Sequence, residues 1–244
     1  MSALVVLPTY QEAENIRDVL ERIRASVPEA HVLVVDDGSP DGTADLAATA
    51  AGALGNIDVL RRTEKSGLGP AYRAGFAWGL EQGHDVLIEM DADGQHDPAV
   101  LPQLIAAVIE GGADLAIGSR YVPGGAVPGW PRNRRLLSQW GNRYIGLMLK
   151  LPVRDATAGF RAYRRSIIEK IGLDRVRADG YGFQIEMAYE VAKAGGTITE
   201  IPITFRDRAL GVSKMHPGIV SEALVLVTRW GVRDRVNRLR RRHG

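Results

Sequence analysis

Residues 86–95 read Val86-Leu87-Ile88-Glu89-Met90-Asp91-Ala92-Asp93-Gly94-Gln95. A short apolar run that stops at two carboxylates is the pattern of a buried strand delivering polar groups to a sheet rim. The same pattern recurs upstream. Residues 3–7 are apolar and run into Pro8-Thr9-Tyr10, and residues 31–35 stop at Asp36-Asp37-Gly38-Ser39. Helical periodicity fills the intervals over 11–25, where Ile16, Val19, Leu20 and Ile23 share a face, and over 41–54, 70–82 and 101–110. Residues 57–60 and 115–118 read as extended. This alternation predicts an α/β fold, a Rossmann-like and mostly parallel sheet with helices on both faces. Such sheets bind ligands outside the carboxyl ends of their strands, so the three polar clusters should converge on one rim.

Beyond Ser119 the pattern loosens. Residues 121–131 are rich in Gly and Pro and read as a loop, 132–151 as a helix with a basic start, and 155–161 as a second loop. Helical spacing returns over 182–194, alternation over 197–205, and a helix is expected from Pro217 through Trp230. The reading is one catalytic domain over 1–214 and a C-terminal amphipathic, basic helix and Arg-rich segment over 215–244.

Composition narrows the function classes. The 244 residues are 45% apolar and 25% charged, ordinary values for a chain with a sizeable core. With no cysteine, disulfides and Cys-ligated zinc are excluded, which fits a reducing compartment. The N-terminus lacks the basic start of a signal peptide, and no apolar run reaches the roughly 18 residues of a spanning helix. The expectation is a cytoplasmic, peripheral protein. The net charge of +2 hides an asymmetry, because residues 229–244 hold seven Arg against Asp234 alone. That tail reads as a contact for an anionic surface or as a solvated terminus. The body carries 24 basic and 28 acidic residues, which disfavours a nucleic-acid-binding protein, since phosphate-dominated binding needs cations spread over a face.

Each rim cluster suggests a chemistry. Asp91 and Asp93 repel one another, and a hard divalent cation with oxygen ligands would relieve the repulsion while leaving positions for phosphate oxygens. Gln95 adds an amide oxygen; His96 reads equally as a third ligand or as a buttress. The alternative for the whole cluster is an acidic turn. Asp37 ends a strand where an acidic side chain can meet ribose hydroxyls or a base edge, whereas Asp41 and Thr43 suit a helix cap. Tyr10 can stack on a base and Glu12 accept its N–H groups, or both can belong to a helix start. Lys65-Ser66-Gly67-Leu68-Gly69 lacks a P-loop ending and reads as a tight turn. Arg120, and Arg134 with Ser138 one turn later, make a phosphate cradle, and Arg206, Arg208 and Lys214 can neutralise a departing diphosphate.

Together these motifs resemble a known family. Residues 34–43, Gly67-Leu68-Gly69-Pro70-Ala71-Tyr72, Met90-Asp91-Ala92-Asp93-Gly94-Gln95-His96, Gly118-Ser119-Arg120-Tyr121 and Tyr181-Gly182-Phe183-Gln184-Ile185-Glu186-Met187 are similar to those of polyprenol (dolichol) phosphate mannose synthases, inverting family 2 glycosyltransferases of GT-A fold. The resemblance implies GDP-mannose as donor, a polyprenyl phosphate as acceptor, and Mg²⁺ or Mn²⁺ at Asp91, Asp93 and Gln95. It places donor contacts on Pro8, Tyr10, Glu12, Val35, Asp37, Asp91, Ala92, Asp93, Arg208 and Lys214, and the acceptor phosphate on Arg120, Arg134 and Ser138. Asp93, Arg120, Arg208 and Lys214 would carry the chemistry. Relatives using UDP-glucose share the acidic motif and remain the alternative. In the loop 155–161, Ala158 stands where relatives often have Ser.

A phosphate monoester is anionic near neutral pH and needs no side-chain base, which accords with the absence of an obvious catalytic His. Its hydrocarbon tail implies an anionic membrane surface. The stripe Ile219, Val220, Ala223, Leu224, Val227 and Trp230 reads either as an interfacial face or as a packed one, against the domain, a homo-oligomer or an integral membrane partner.

Overall fold

The computed structural model describes residues 1–206 and 217–242; Arg208 and Lys214 lie outside them. Seven strands form one sheet in the order β3-β2-β1-β4-β6-β5-β7. They are β1 (Ala3–Thr9), β2 (His31–Asp36), β3 (Ile57–Arg61), β4 (Val86–Glu89), β5 (Leu115–Ser119), β6 (Arg161–Arg164) and β7 (Ile198–Pro202). β1 pairs in parallel with β2 on one side and β4 on the other. Both its faces are covered, hence the near-continuous apolar sequence of a central parallel strand.

Helices α1 (Ile16–Ser26), α2 (Thr43–Leu54) and α4 (Leu101–Ile109) lie over one face. There Val5, Leu7, Val32 and Val34 meet Ile16, Leu20, Ala47 and Leu104. The residues between them, Leu4, Val6, Leu33 and Val35, point to the other face and pack with α3 (Leu68–Glu81), α5 (Arg132–Leu149), α6 (Arg165–Ile171), α7 (Gly180–Lys193) and α8 (Pro217–Arg242). α3 lies unusually close to the sheet: a Cβ on Gly75 would stand 2.4 Å from Val6 Cγ1, and one on Gly79 2.6 Å from Leu4.

Three expectations need correction. The first helix begins at Ile16, not near residue 11, because Gln11 takes a positive φ of 55° and the Glu12 carbonyl closes a turn onto Asn15. Residues 161–164 form strand β6, antiparallel to both β4 and β5, where the sequence offered only the end of a loop. Four residues with Arg at both ends hold too little alternation to declare a strand. Finally, the C-terminal helix continues beyond Trp230 to Arg242. Its Ala223, Val227 and Trp230 are buried against the domain, so this part of the stripe is internal. Tyr189 on α7 donates a short hydrogen bond to Asp234 and stacks on Trp230, fastening α8 in place.

Candidate active site

Strand order explains the assembly of the site. β2, β1 and β4 are parallel neighbours, so Asp36-Asp37, Thr9-Tyr10 and Asp91-Ala92-Asp93 emerge side by side. β5 is antiparallel to β6, which is antiparallel to β4, so Arg120 leaves the sheet at the same rim. The sheet thus joins the acidic pair and the first cation of the proposed cradle.

Asp91 is held from below. Tyr72, fully buried on α3, donates its hydroxyl to Asp91 Oδ1 at 3.0 Å and stacks on Phe183 of α7 at 5.8 Å. Burial first, then the neighbouring Asp91, push the Tyr72 hydroxyl well above its ordinary pKa of 10, so it remains a proton donor. The Phe183 and Gln184 of the family motif therefore lie behind the metal candidate. Its Glu186 accepts hydrogen bonds from the Arg177 and Ala178 amides. Gly159 approaches from another side: a Cβ there would stand 3.4 Å from Asp91 Oδ2 and 3.6 Å from Gln184 Nε2.

His96 braces the Asp91 backbone in this arrangement. Its ring is 3% exposed, stacks on Phe160, and accepts the Asp91 amide at Nδ1 over 3.2 Å. Burial depresses its pKa to about 4, so it is neutral at physiological pH. Beneath the pair, Glu89 is wholly buried across the ladder from Arg161, and burial raises it to about 8 despite that guanidinium. Arg161 is equally buried and donates to the carbonyls of Ala156, Ala158 and Gln184. It thereby fixes the backbone of the loop that carries Gly159.

The acidic pair suits a hard cation. Asp93 accepts the Gln95 amide at 3.1 Å, and the Gln95 side-chain amide donates to the Arg206 carbonyl. Among the described residues no third carboxylate or imidazole joins them. Two carboxylates and one amide oxygen would suit a hard divalent cation such as Mg²⁺ or Mn²⁺, which would leave Lewis-acid positions for phosphate.

The Asp37 side chain is committed locally. Its Oδ1 accepts from Arg62 at 2.6 Å and its Oδ2 from the Ser66 and Gly67 amides. The glycine loop thus turns its amides toward Asp37, as a tight turn would. Asp41 accepts from both Thr43 and the Ala13 amide, matching the structural role expected of it. Val35 is buried in the sheet, Glu12 is 7% exposed and bonded to Asn15, and Lys65 sits 4.0 Å above the Tyr10 ring.

The basic side of the site forms a closed polar ring. Arg120 donates from Nε and Nη2 to both oxygens of the fully buried Asp155, at 2.7 and 2.6 Å, and from its backbone at 2.9 Å. Nη2 also reaches Thr157, which receives Asn142 Nδ2 at 3.2 Å. Asn142 donates as well to the Ser138 carbonyl, and the Ser138 hydroxyl accepts from Tyr121, next in sequence to Arg120. Glu200 on β7 holds the Arg154 and Asp155 amides at 2.8 and 3.0 Å. Arg134 lies 3.9 Å from the centre of the Trp130 ring, and Arg120 lies 5.6 Å from it. The structure therefore brings Arg120, Arg134 and Ser138 together. Sequence reasoning missed Tyr72, Trp130, Asn142, Asp155 and Thr157, although Tyr72 and the loop beginning at Asp155 stood within stretches it had singled out.

The model of Glycosyl transferase family 2 matches residues 4–172. The chain belongs to that family. An undecaprenyl-phosphate mannosyltransferase of Micrococcus luteus is 53% identical over the whole of both chains. A polyprenol monophosphomannose synthase of Mycolicibacterium smegmatis is 50% identical, covering 97% of this chain and 89% of its own. The GT-A fold recurs in a Pyrobaculum calidifontis mannosyltransferase solved with GDP-Man and Mn²⁺, with a TM-score of 0.60 at 18% identity, over 94% of this chain and 71% of that one. This member of the family has no helix, among its described residues, that is long and apolar enough to cross a membrane.

Proposed function

We propose that the protein transfers mannose from GDP-mannose to a polyprenyl phosphate, yielding polyprenyl β-mannosyl phosphate and GDP with inversion at the anomeric carbon. The carrying observation is the pairing, on one rim, of a buttressed acidic pair with a ring-locked guanidinium cradle. High identity to relatives named for mannosyl transfer to such lipids supports the same reading.

In this reading Asp91, Asp93 and Gln95 hold a Mg²⁺ or Mn²⁺, which when bound supplies Lewis-acid neutralisation of the diphosphate. Pro8, Tyr10, Glu12, Val35, Asp37 and Ala92 surround the nucleotide. Arg208 and Lys214 take up charge on the leaving GDP. Arg120, Arg134 and Ser138 hold the acceptor phosphate in line with C1. One phosphate oxygen forms the new bond to C1 as the bond to GDP breaks. The nucleophile arrives as an anion, so catalysis is positioning and charge stabilisation. Buried neutral His96 fits that economy, since no base is required of it. We place the protein peripherally on the cytoplasmic face of a membrane.

The deciding assay incubates radiolabelled GDP-mannose with polyprenyl phosphate, with and without chelator, beside an UDP-glucose arm. Label should enter the lipid fraction only with GDP-mannose and free divalent cation. Equal transfer in chelator would overturn the metal assignment, and transfer from UDP-glucose alone would overturn the donor.

A further inference from the structure

A serine or threonine inside a helix commonly donates its hydroxyl proton to the carbonyl one turn back. Three helical hydroxyls of this chain do so. Ser26 donates to the Arg22 carbonyl at 2.9 Å, Thr49 to that of Asp45 at 2.9 Å and Thr228 to that of Leu224 at 2.7 Å. Ser138, in the second turn of α5, departs from the habit. Its hydroxyl oxygen accepts the Tyr121 hydroxyl at 2.7 Å, and its own proton meets no acceptor among the described residues.

The Ser138 backbone is held without Tyr121. Asn142 Nδ2 donates to the Ser138 carbonyl at 3.1 Å and to Thr157 at 3.2 Å, and Thr157 accepts Arg120 Nη2 at 2.9 Å. Rotation about the side-chain bond is then the one freedom Ser138 keeps, with its staggered wells to choose among. A well that aims the hydroxyl at the Arg134 carbonyl would turn the proton away from the cradle. The bond from Tyr121 opposes that choice. A hydroxyl has one proton and two lone pairs, so an oxygen that already accepts from Tyr121 presents its proton as a donor. Tyr121 also meets a second member of the cradle, because its ring lies 5.4 Å from the Arg120 guanidinium carbon. One half-buried side chain thus places its ring on Arg120 and its hydroxyl on Ser138.

We propose that Tyr121 is a positioning residue for the acceptor: its hydroxyl keeps Ser138 off the helix backbone, so that the Ser138 proton is donated to the acceptor phosphate. The proposal rests on the acceptor reading above and adds to it the group that sets the polarity of the serine. A fully ionised phosphate monoester offers only acceptor oxygens, and the guanidinium groups of Arg120 and Arg134 offer only donors. A serine held as a donor completes that set, whereas one bonded back to its own helix would turn a lone pair toward an anion.

The test is a double-mutant cycle of Y121F, S138A and Y121F/S138A on the full chain. Tyr121→Phe keeps the ring against Arg120 and deletes the hydroxyl alone, so Tm should fall by no more than about 2–4 °C, the loss of one ordinary hydrogen bond. KM for a short-chain prenyl phosphate should rise about tenfold in Y121F and at least as far in S138A, while KM for GDP-mannose stays within about twofold of wild type. The two losses should not add: Y121F/S138A should match S138A, because Tyr121 acts through that hydroxyl. Calorimetric titration of each variant with the prenyl phosphate, without donor, should rank the Kd values in the same order. An acceptor KM in Y121F within about twofold of wild type, beside an impaired S138A, would overturn the proposal. So would a full further tenfold loss on adding Y121F to S138A, which would make the Tyr121 hydroxyl a tether of the loop 121–131 to α5. A wild type that neither binds the prenyl phosphate nor transfers mannose to it would instead overturn the acceptor reading itself.

Discussion

Replacement of Asp155 by Asn should separate acceptor binding from donor binding. Asp155 is fully buried and receives two side-chain and one backbone hydrogen bond from Arg120, whose side chain is only 9% exposed. The Asn amide keeps the shape, removes the charge and turns one donor toward another donor. Breaking one partner of a buried pair costs about 3–5 kcal/mol, and about 3 kcal/mol corresponds to a Tm loss of about 6–12 °C for a chain of this size. The lower end is expected, because Thr157 still accepts from Arg120 Nη2. With Arg120 released from its fork, KM for the acceptor should rise by about tenfold or more, whereas KM for the sugar nucleotide should stay within about twofold. Steady-state kinetics varying each substrate in turn, beside a thermal melt, makes the comparison. A normal melt with unchanged acceptor KM would refute the buried pair as the support of the cradle. Equal rises in both KM values would show that Asp155 serves the fold alone.

Asp91→Ala should lower turnover by roughly a thousandfold, several kcal/mol of charge stabilisation, in saturating Mg²⁺ or Mn²⁺; near-normal turnover would remove Asp91 from the metal site. Tyr72→Phe keeps the stacking on Phe183 but deletes the bond to Asp91, so the metal concentration for half-maximal activity should rise about 10–100-fold with little change in Tm. Gly75→Ala should destabilise by about 1–3 kcal/mol in urea titration, because its Cβ would enter the van der Waals shell of Val6 Cγ1. Asp41 offers a pH test. Burial pushes its carboxyl up, but hydrogen bonds from Thr43 and Ala13 outweigh this and hold it below the ordinary 3.8. A depressed folded pKa stabilises above the unfolded value and loses that stability as pH falls through the folded one. The stability gap between wild type and Asp41→Asn, followed by denaturant unfolding, should therefore shrink below pH 3.8.

The strand ends and the acidic pair were legible because they are local patterns. A parallel central strand must be apolar throughout, and a carboxylate that ends one must lie on the rim, so residues 3–7, 31–35 and 86–90 named both the sheet and its site. The helix over 132–149 and its Arg134/Ser138 spacing were equally local. What the sequence could not declare were pairings between distant residues. Asp155 and Arg120 are 35 positions apart, and only β6, running antiparallel between β4 and β5, brings the loop before it onto Arg120. Periodicity likewise marked an apolar stripe on α8 without saying which face is covered. Covering depends on where α5, α7 and α8 lie against the sheet, and that is decided by packing across the whole chain. The chemistry of the rim was thus written in short segments, whereas the support beneath it and the direction of its outer surface came from tertiary contacts that no period records.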